Sequence, residues 1–236
     1  MSSQFMPLCN LVLRHFNDVE FTTTTFGTAT GFHAVVKDAV NDSIREIQQA
    51  EYQWPFNWEE ATKSLVANPA SLTFYAFDAD VESVDWDSFM LVRNDTLSVS
   101  EKKLSEIDYD EWLQRFRERD ATQIGTTLGV QLPDHVFRTQ DLKFGVTPIS
   151  DRTYTVRFEQ FAFPAILSSY TDTTTIPDRF DHVIFKGTLA RCYAFRQNMP
   201  LANYYKKQQE EGITLMRALL INRYKKLRDG RVERGR

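Results

Sequence analysis

Cysteine is scarce in this chain, since Cys9 and Cys192 are the only two among 236 residues. The two lie far apart in sequence and form no CxxC pair. This pattern is typical of a reducing compartment and of small, buried hydrophobic side chains. We therefore expect two free thiols, with a disulfide between them as the less favoured alternative.

Long apolar runs are also missing. No stretch approaches the roughly 20 apolar residues that a transmembrane helix needs, so we expect no membrane partner. The first residues, MSSQFMPLCNLVLRHF, carry no positive charge ahead of their apolar part and no small-residue cleavage site. They are therefore not expected to act as a signal peptide.

Metal-binding patterns are absent from the sequence. The histidines occur in no HxxxH or HExxH spacing, so we expect them at the surface or the edge of the core; they are His15, His33, His135 and His182. The segment 78–87 is rich in carboxylates, but a Ca²⁺ loop would need the pattern DxDxDG and a Glu at its twelfth position. Since the glycine is missing, the sequence favours a solvated acidic turn over a metal site.

Catalytic and cofactor motifs are missing as well. The chain contains no GxGxxG, GxxxxGK[ST] or GxSxG, and Gly125 and Gly129 lack the lysine of a phosphate loop. Cys9 and His15 are six residues apart, which places them on different faces of a helix and excludes a nucleophile–base pair there. We expect no catalytic residue, no cofactor and no metal, and hence a protein that is not an enzyme.

Charge is distributed unevenly along the chain. The net charge is −4, yet residues 219–236 hold seven Lys/Arg and two Asp/Glu, a net of +5, which leaves about −9 for the first 218 residues. A basic tail on an acidic body indicates a partner for the tail, either nucleic acid or an acidic protein surface. The basic residues concerned are Arg223, Lys225, Lys226, Arg228, Arg231, Arg234 and Arg236.

The apolar spacing predicts helices in the N-terminal half. One is expected from about Met6 to Asp18, and a second from about Gly31 to Tyr52, where Val36, Val40, Ile44 and Ile47 lie on one face. The threonine-rich run FTTTTFGTATG between them is expected to be an extended connection. A short amphipathic helix is predicted over Ile107 to Asp120, followed by a loop, ATQIGTTLGVQLPDH.

Strand signals fill the middle of the chain. They are SLTFYAF, DSFMLVR and TLSVS between about residues 61 and 100, then HVFRTQ, LKFGVTP and TYTVRFEQFAF, the last with a slip that suggests a bulge. The segment SSYTDTTTIP is expected to be a loop. A helix that is apolar on nearly every face should run from Pro177 to about Gln197, and a long helix of about 42 Å from Leu201 to Arg228.

This order of elements predicts an α+β fold in which the N- and C-terminal helices form a bundle and a β-rich module is inserted between them. The expected parts are N-terminal helices over 1–58, a β-rich module with a short helix over 59–175, C-terminal helices over 176–228 and a basic tail over 229–236. The 18 phenylalanines fit either a Phe-rich core or aromatic anchors at protein interfaces. A unit of strand, proline and all-apolar helix without catalytic groups indicates docking against copies of the same chain.

Four stretches of the chain have the order and spacing of one known family. They are VNDSIREIQQAEYQWPF, VDWDSFMLV, SDRTYTVRFEQFAFP and TIPDRFDHVIFKGTLARCYAFRQN. Pro148, Asp151 and Tyr154 match a Pro-x-x-Asp-x-x-Tyr pattern, and Ile176, Pro177 and Phe180 match an Ile-Pro-x-x-(Phe/Tyr) step. Through these motifs, about residues 8 to 228 resemble the head-to-tail adaptor (tail tubular protein A, or gateway) family of short-tailed bacteriophages, the podoviruses. The inserted strands and the stretch Glu101 to Leu132 look longer than in compact members.

The resemblance implies a structural virion protein, located in the tail or neck and in the host cytoplasm during assembly. It implies a ring of twelve copies that joins the portal protein to the tail nozzle (tail tubular protein B-like) and continues the channel for genomic DNA, with tail fibres as further partners. It also implies that the basic residues from Arg223 to Arg236 bind the portal. The alternative that the residues themselves leave open is a nucleic-acid-binding protein acting through its basic tail.

Overall fold

The computed structural model describes residues 2–51, 53–67, 69–95, 98–124 and 131–221. The chain divides into two compact units. The helical unit comprises residues 1–57 and 163–236, and the β-rich unit comprises residues 58–162. Helices and strands are both well represented and are largely segregated between the units, so the predicted α+β class is confirmed.

The described residues form six α-helices and ten strands. The helices are α1 (Phe5–His15), α2 (Phe32–Ala50), α3 (Tyr109–Arg115), α4 (Arg117–Gln123), α5 (Asp181–Phe195) and α6 (Met199–Leu220). The strands are β1 (Ser2–Gln4), β2 (Trp58–Ser64), β3 (Tyr75–Ala76), β4 (Val81–Asp95), β5 (Ser98–Lys103), β6 (Ser105–Glu106), β7 (His135–Arg138), β8 (Lys143–Thr147), β9 (Thr155–Ala162) and β10 (Thr173–Pro177).

Helix α5 is the central element of the helical unit and packs against α1, α2 and α6. Its buried residues, among them Val183, Ile184, Leu189 and Cys192, point to all sides, which explains why the sequence is apolar on nearly every face. Gly187 lets the neighbouring helices approach closely. A Cβ at this position would lie 2.3 Å from the Ser43 Oγ of α2 and 2.4 Å from the Gln209 side chain of α6.

Helix α2 begins and ends as its sequence indicates. Gly31 precedes it with φ +58°, a backbone conformation that glycine adopts more easily than any other residue. The helix ends at Ala50, and Trp54 in the corner that follows is fully buried. Its Nε1 donates a 2.8 Å hydrogen bond to the Ile47 carbonyl oxygen, which fixes the corner against the last turn of α2.

The β-rich unit contains two four-stranded sheets, with strand orders β2-β9-β4-β5 and β3-β8-β7-β6. Most pairs are antiparallel, and β6 with β7 is parallel. Buried residues of both sheets form one core, which includes Leu91, Phe144, Val156 and Phe158. The rings of Phe89 and Phe158 stack there with centroids 4.8 Å apart.

The acidic segment 78–87 is a turn only at residues 79–80 and a strand from Val81 onwards, so the prediction of a turn is wrong for most of its length. Its five carboxylates are exposed, as predicted. Strand β4 begins at Val81, because Val84 and Trp86 pack partly against the core of the β-rich unit. The predicted bulge lies on the partner strand. Between β4 and β9 the register shifts, with Val81 opposite Ala162 and Ser83 opposite Phe161, so that the extra residue belongs to β4.

The predicted helix over 107–120 is two helices, α3 and α4, which meet at Phe116 with φ −118° and ψ −26°. Helix α4 also extends to Gln123, into the predicted loop, of which residues 125–130 lie outside the described residues. Asp120 holds the two together, because its buried carboxylate accepts a 2.9 Å hydrogen bond from Trp112 Nε1.

Three strands lack the expected sequence signal. Strand β2 is mostly polar because it lies at a sheet edge with exposed side chains. The predicted loop SSYTDTTTIP contains β10, which pairs with β1. Their pairing joins segments about 170 residues apart, so neither sequence alone reveals it.

The connection FTTTTFGTATG between α1 and α2 is not extended throughout, although the sequence predicts an extended connection. It contains a turn and a 3-10 helix over Phe26–Thr28.

Helix α6 ends at Leu220, whereas the sequence predicts a helix as far as Arg228. Ile221 has an extended backbone, with φ −99° and ψ 110°. The 22 residues of α6 span about 33 Å at 1.5 Å per residue, so the predicted length of about 42 Å is too large. Residues 222–236 lie outside the described residues.

Candidate assembly interface

Aromatic side chains from four helices meet at one end of the helical unit, where α1 and α5 end and α2 and α6 begin. We call this surface the aromatic end; it consists of His15, Phe16, Phe32, Tyr193, Phe195, Tyr204 and Tyr205. Phe195 is 59% exposed and Tyr204 is 55% exposed. Large exposed aromatic side chains grouped in this way are typical of a surface that binds another protein.

Arg196 follows α5 directly and is packed on this surface. Its guanidinium carbon lies 4.2 Å from the centre of the Phe32 ring and 4.4 Å from the centre of the Phe16 ring. Such cation–π contacts stabilise the arginine in one orientation. The rings of Phe32 and Phe195 stack with centroids 6.3 Å apart, so the cation adjoins the exposed ring.

Hydrogen bonding and stacking order the rest of the aromatic end. The His15 Nε2 and the Tyr193 hydroxyl are 3.0 Å apart. The rings of Tyr193 and Tyr205 are nearly parallel, with centroids 5.5 Å apart. Burial raises the pKa of Tyr205, and the neighbouring phenols of Tyr193 and Tyr204 raise it further. The surface is therefore assembled before any partner arrives.

Helix α6 carries a second apolar stripe that extends the aromatic end. Its core side faces α5 through Ala202, Gln209, Ile213 and Met216. About 120° around the helix, by the 3.6-residue period, lies an exposed stripe of Leu201, Tyr204, Leu215 and Leu219. Two apolar faces on one helix indicate that the second is covered in an assembly.

The two units carry opposite net charge. Residues 58–162 hold nineteen Asp/Glu and eleven Lys/Arg, a net charge of −8. The remaining residues hold thirteen Asp/Glu and seventeen Lys/Arg, a net charge of +4, and the two values sum to the −4 of the whole chain. The acidic body that the sequence indicates is therefore the β-rich unit.

Four carboxylates of the β-rich unit form an acidic group: Asp85, Asp87, Glu106 and Asp108. Burial raises the pKa of Glu106, and the negative charges of Asp87, Asp108 and Asp85 raise it further. The Asp85 carboxylate accepts a 3.1 Å hydrogen bond from the Asp87 backbone N–H. A 2.9 Å bond from the Leu104 backbone N–H to the Phe89 carbonyl oxygen places this part of β4 beside the segment that carries Glu106 and Asp108. The only cation within 4.0 Å of the group in the described chain is Lys103, whose Nζ is 4.0 Å from Asp87 Oδ1.

The sequence-predicted portal-binding residues lie outside the described residues; they are Arg223, Lys225, Lys226, Arg228, Arg231, Arg234 and Arg236. Within the described ranges, no group of three or more His, Cys, Asp or Glu is placed to hold a metal ion. None of the helices there combines the length and apolarity that a membrane crossing requires. Cys9 and Cys192 are both buried and free, as predicted.

The sequence alone does not predict the aromatic end, because its members are far apart in the chain. Phe16 and Tyr193 come from the two terminal regions and meet only when α1 packs against α5. The high Phe count and the pair Tyr204–Tyr205 are the signals that point to it. They cannot distinguish a surface ring from a core ring without the fold.

No curated protein matches the chain. The family model described as SU10 adaptor protein matches residues 8–234. Because this match covers nearly the whole sequence, the chain belongs to the SU10 adaptor family of phage head-to-tail adaptor proteins.

Proposed function

We propose that this chain is a non-enzymatic ring protein of the phage neck, which joins the portal to the tail nozzle and continues the DNA channel. The match to the adaptor family over residues 8–234 carries this proposal. The exposed aromatic end supports it, because a protein that acts by assembly needs preformed binding surfaces. Within the adaptors, the chain would be of the tail tubular protein A type of short-tailed phages.

We propose a ring of twelve copies, with each copy contacting the next through two different surfaces. Such heterologous contacts close into a ring when the rotation between neighbours divides a full turn. The packed helices of the helical unit would supply rigid surfaces for these contacts. In the virion the ring would also contact the tail nozzle and, through it, the tail fibres.

The charge of the β-rich unit fits a channel role. A wall with a net charge of −8 per copy repels the phosphates of DNA, so the genome passes without binding to it. The assembled protein would lie in the neck of the virion, and the free chain in the host cytoplasm before assembly.

For the basic C-terminal residues we propose binding to acidic crevices of the portal. Deletion of residues 229–236 should weaken binding to the purified portal, because it removes Arg231, Arg234 and Arg236. As a matched control, lysine at these three positions keeps the charge and should retain binding, whereas serine should not. Unchanged binding of the deletion variant would contradict this role.

The adaptor role is tested by removing the protein from the phage. Particles assembled without it should contain packaged heads without tails, and the supplied wild-type chain should restore complete particles. Complete, infectious particles without the chain would show that it is not the adaptor.

The alternative function is nucleic-acid binding through the C-terminal segment, favoured by its seven Lys/Arg against two Asp/Glu. DNA affinity measured against salt distinguishes the two. A slope of several units in log K against log [salt] would favour this alternative, because each neutralised phosphate contributes about 0.9 to the slope. Weak binding that is lost with residues 222–236 would favour the adaptor.

A further inference from the structure

Arg196 has hydrogen-bond donors that the described chain leaves without acceptors. The guanidinium group carries five N–H donors. Arg196 contacts the rings of Phe16 and Phe32, but within the described ranges no carboxylate lies within 4.0 Å of it. A guanidinium already held on two rings loses little freedom when it binds a carboxylate.

Three lysines near the aromatic end also lack a carboxylate partner among the described residues. Lys186 Nζ lies 5.2 Å from the centre of the Tyr205 ring, and Lys206 and Lys207 are exposed on α6. None of the three has a carboxylate within 4.0 Å in the part of the chain that the structure describes. Arg196 and Lys186, which lie over rings of the aromatic end, therefore make this surface cationic as well as apolar.

The composition of this surface is that of an interface centre rather than of a solvated helix end. Aromatic residues, methionine and arginine are enriched in protein interfaces, while lysine is depleted there. Phe195 and Tyr204 are joined here by Met199, which is 53% exposed. The partner must therefore offer carboxylates together with apolar side chains.

The β-rich unit offers that chemistry. Its net charge is −8, and the acidic group of Asp85, Asp87, Glu106 and Asp108 is nearly uncompensated. Exposed apolar side chains of the same unit include Leu142, Val66 and Trp58. Opposite charge on two different surfaces of one chain favours contact between different copies in a single orientation.

We propose that the aromatic end of one copy binds the acidic group on the β-rich unit of a second copy, with Arg196 donating hydrogen bonds to its carboxylates. This inference rests on the proposed ring function and names the surfaces of its subunit contact. Because the two surfaces differ, a growing row of copies keeps a free aromatic end at one end and a free acidic group at the other. Addition continues until the ring closes.

Cross-linking tests the contact directly. The full-length chain, as an equal mixture of ¹⁴N- and ¹⁵N-labelled protein, is assembled on the purified portal and treated with a carbodiimide, which joins lysines to adjacent carboxylates. Mixed-label links are expected between Lys186, Lys206 or Lys207 and the acidic group. If no complex forms with the portal, the same cross-linking reaction is carried out on the concentrated chain alone, and the same mixed-label links are expected. Mixed-label links exclusively between other sites, or none, would overturn the proposal.

Charge exchange provides the second test. Arg196→Glu should weaken association between copies at least about tenfold, because it places like charges opposite each other. Arg179→Glu is the matched control, since Arg179 also lies over a ring, that of Phe180 at 4.7 Å, but precedes α5 instead of following it. The control should associate like the wild type.

Rescue by the reciprocal change makes the test specific. Asp87→Lys or Glu106→Lys should each weaken association, and combining one of them with Arg196→Glu in one chain should restore it. Wild-type association of Arg196→Glu, or failure of both combinations when circular dichroism shows folded proteins, would overturn the proposal. The adaptor function itself would remain if such variants still completed the neck, so the two claims fail separately.

Discussion

The phenol of Tyr154 donates a 2.7 Å hydrogen bond to the Asp151 carboxylate, joining two members of the Pro-x-x-Asp-x-x-Tyr pattern. The Tyr154 ring is buried in the core of the β-rich unit, while Asp151 is partly exposed. The bond ties the turn before β9 to that core.

Replacing Tyr154 by phenylalanine should destabilise the protein by about 1–2 kcal/mol, because it removes a hydrogen bond to a charged group and keeps the ring. Urea unfolding measures the change. Tyr170→Phe is the control, since Tyr170 is exposed and donates no side-chain hydrogen bond among the described residues. Equal effects of the two changes would contradict a structural role for this bond.

Replacing Gly187 by alanine should destabilise the helical unit by about 1–3 kcal/mol, although alanine favours a helix more than glycine does. The added methyl group would lie 2.3 Å from Ser43 Oγ and 2.4 Å from the Gln209 side chain, both of them buried. Gly27→Ala is the control, because a Cβ there meets nothing within 4 Å. A stabilised Gly187→Ala variant in thermal unfolding would show that the helices do not approach this closely.

The loop before β10 should make stability depend on pH through Asp172. Its carboxylate accepts hydrogen bonds from the backbone N–H groups of Ser168 and Ser169, at 2.7 and 2.8 Å, and these lower its pKa below the ordinary 3.8. A lowered pKa in the folded state stabilises the protein above the ordinary value. The contribution is lost as the pH falls from there through the folded-state pKa.

Asp172→Asn should therefore lower the melting temperature at pH 7, and the difference from the wild type should shrink as the pH falls below about 4. Asp38→Asn, an exposed change on α2, is the control and should leave the melting temperature unchanged both at pH 7 and below about pH 4. A difference that grows on acidification would contradict the assigned hydrogen bonds.

The two cysteines should be unreactive in the folded protein. Burial raises the pKa of both Cys9 and Cys192 to about 12, so at pH 8 on the order of one thiol in 10⁴ is a thiolate. Alkylation by iodoacetamide should proceed at the rate at which the helical unit opens and should become fast in urea. Rapid labelling of the native chain would show that the packing around α1 and α5 is wrong.

The sequence predicts those elements whose signal is local. The spacing of Val36, Val40, Ile44 and Ile47 identifies α2 to within about two residues of its observed ends. The buried alternation of Tyr154, Val156 and Phe158 identifies β9. In both cases one face of a single segment is buried, so the apolar period shows directly in the sequence.

Elements that depend on distant partners cannot be predicted in this way. Strand β2 has a polar sequence and exists because β9 pairs with it, and β1 pairs with β10 from the other end of the chain. The aromatic end also depends on contacts between distant segments, since its rings come from α1, α2, α5 and α6. The concentration of negative charge in residues 58–162 becomes meaningful only once these residues are known to fold as one unit.

The adaptor account is tested most directly by a cryo-electron microscopy reconstruction of the phage neck. A closed ring of this chain is expected between the portal and the tail nozzle, around the DNA channel, with density into which the helical and β-rich units fit. A neck in which portal and nozzle touch directly, or whose intervening ring is built from another protein, would contradict it.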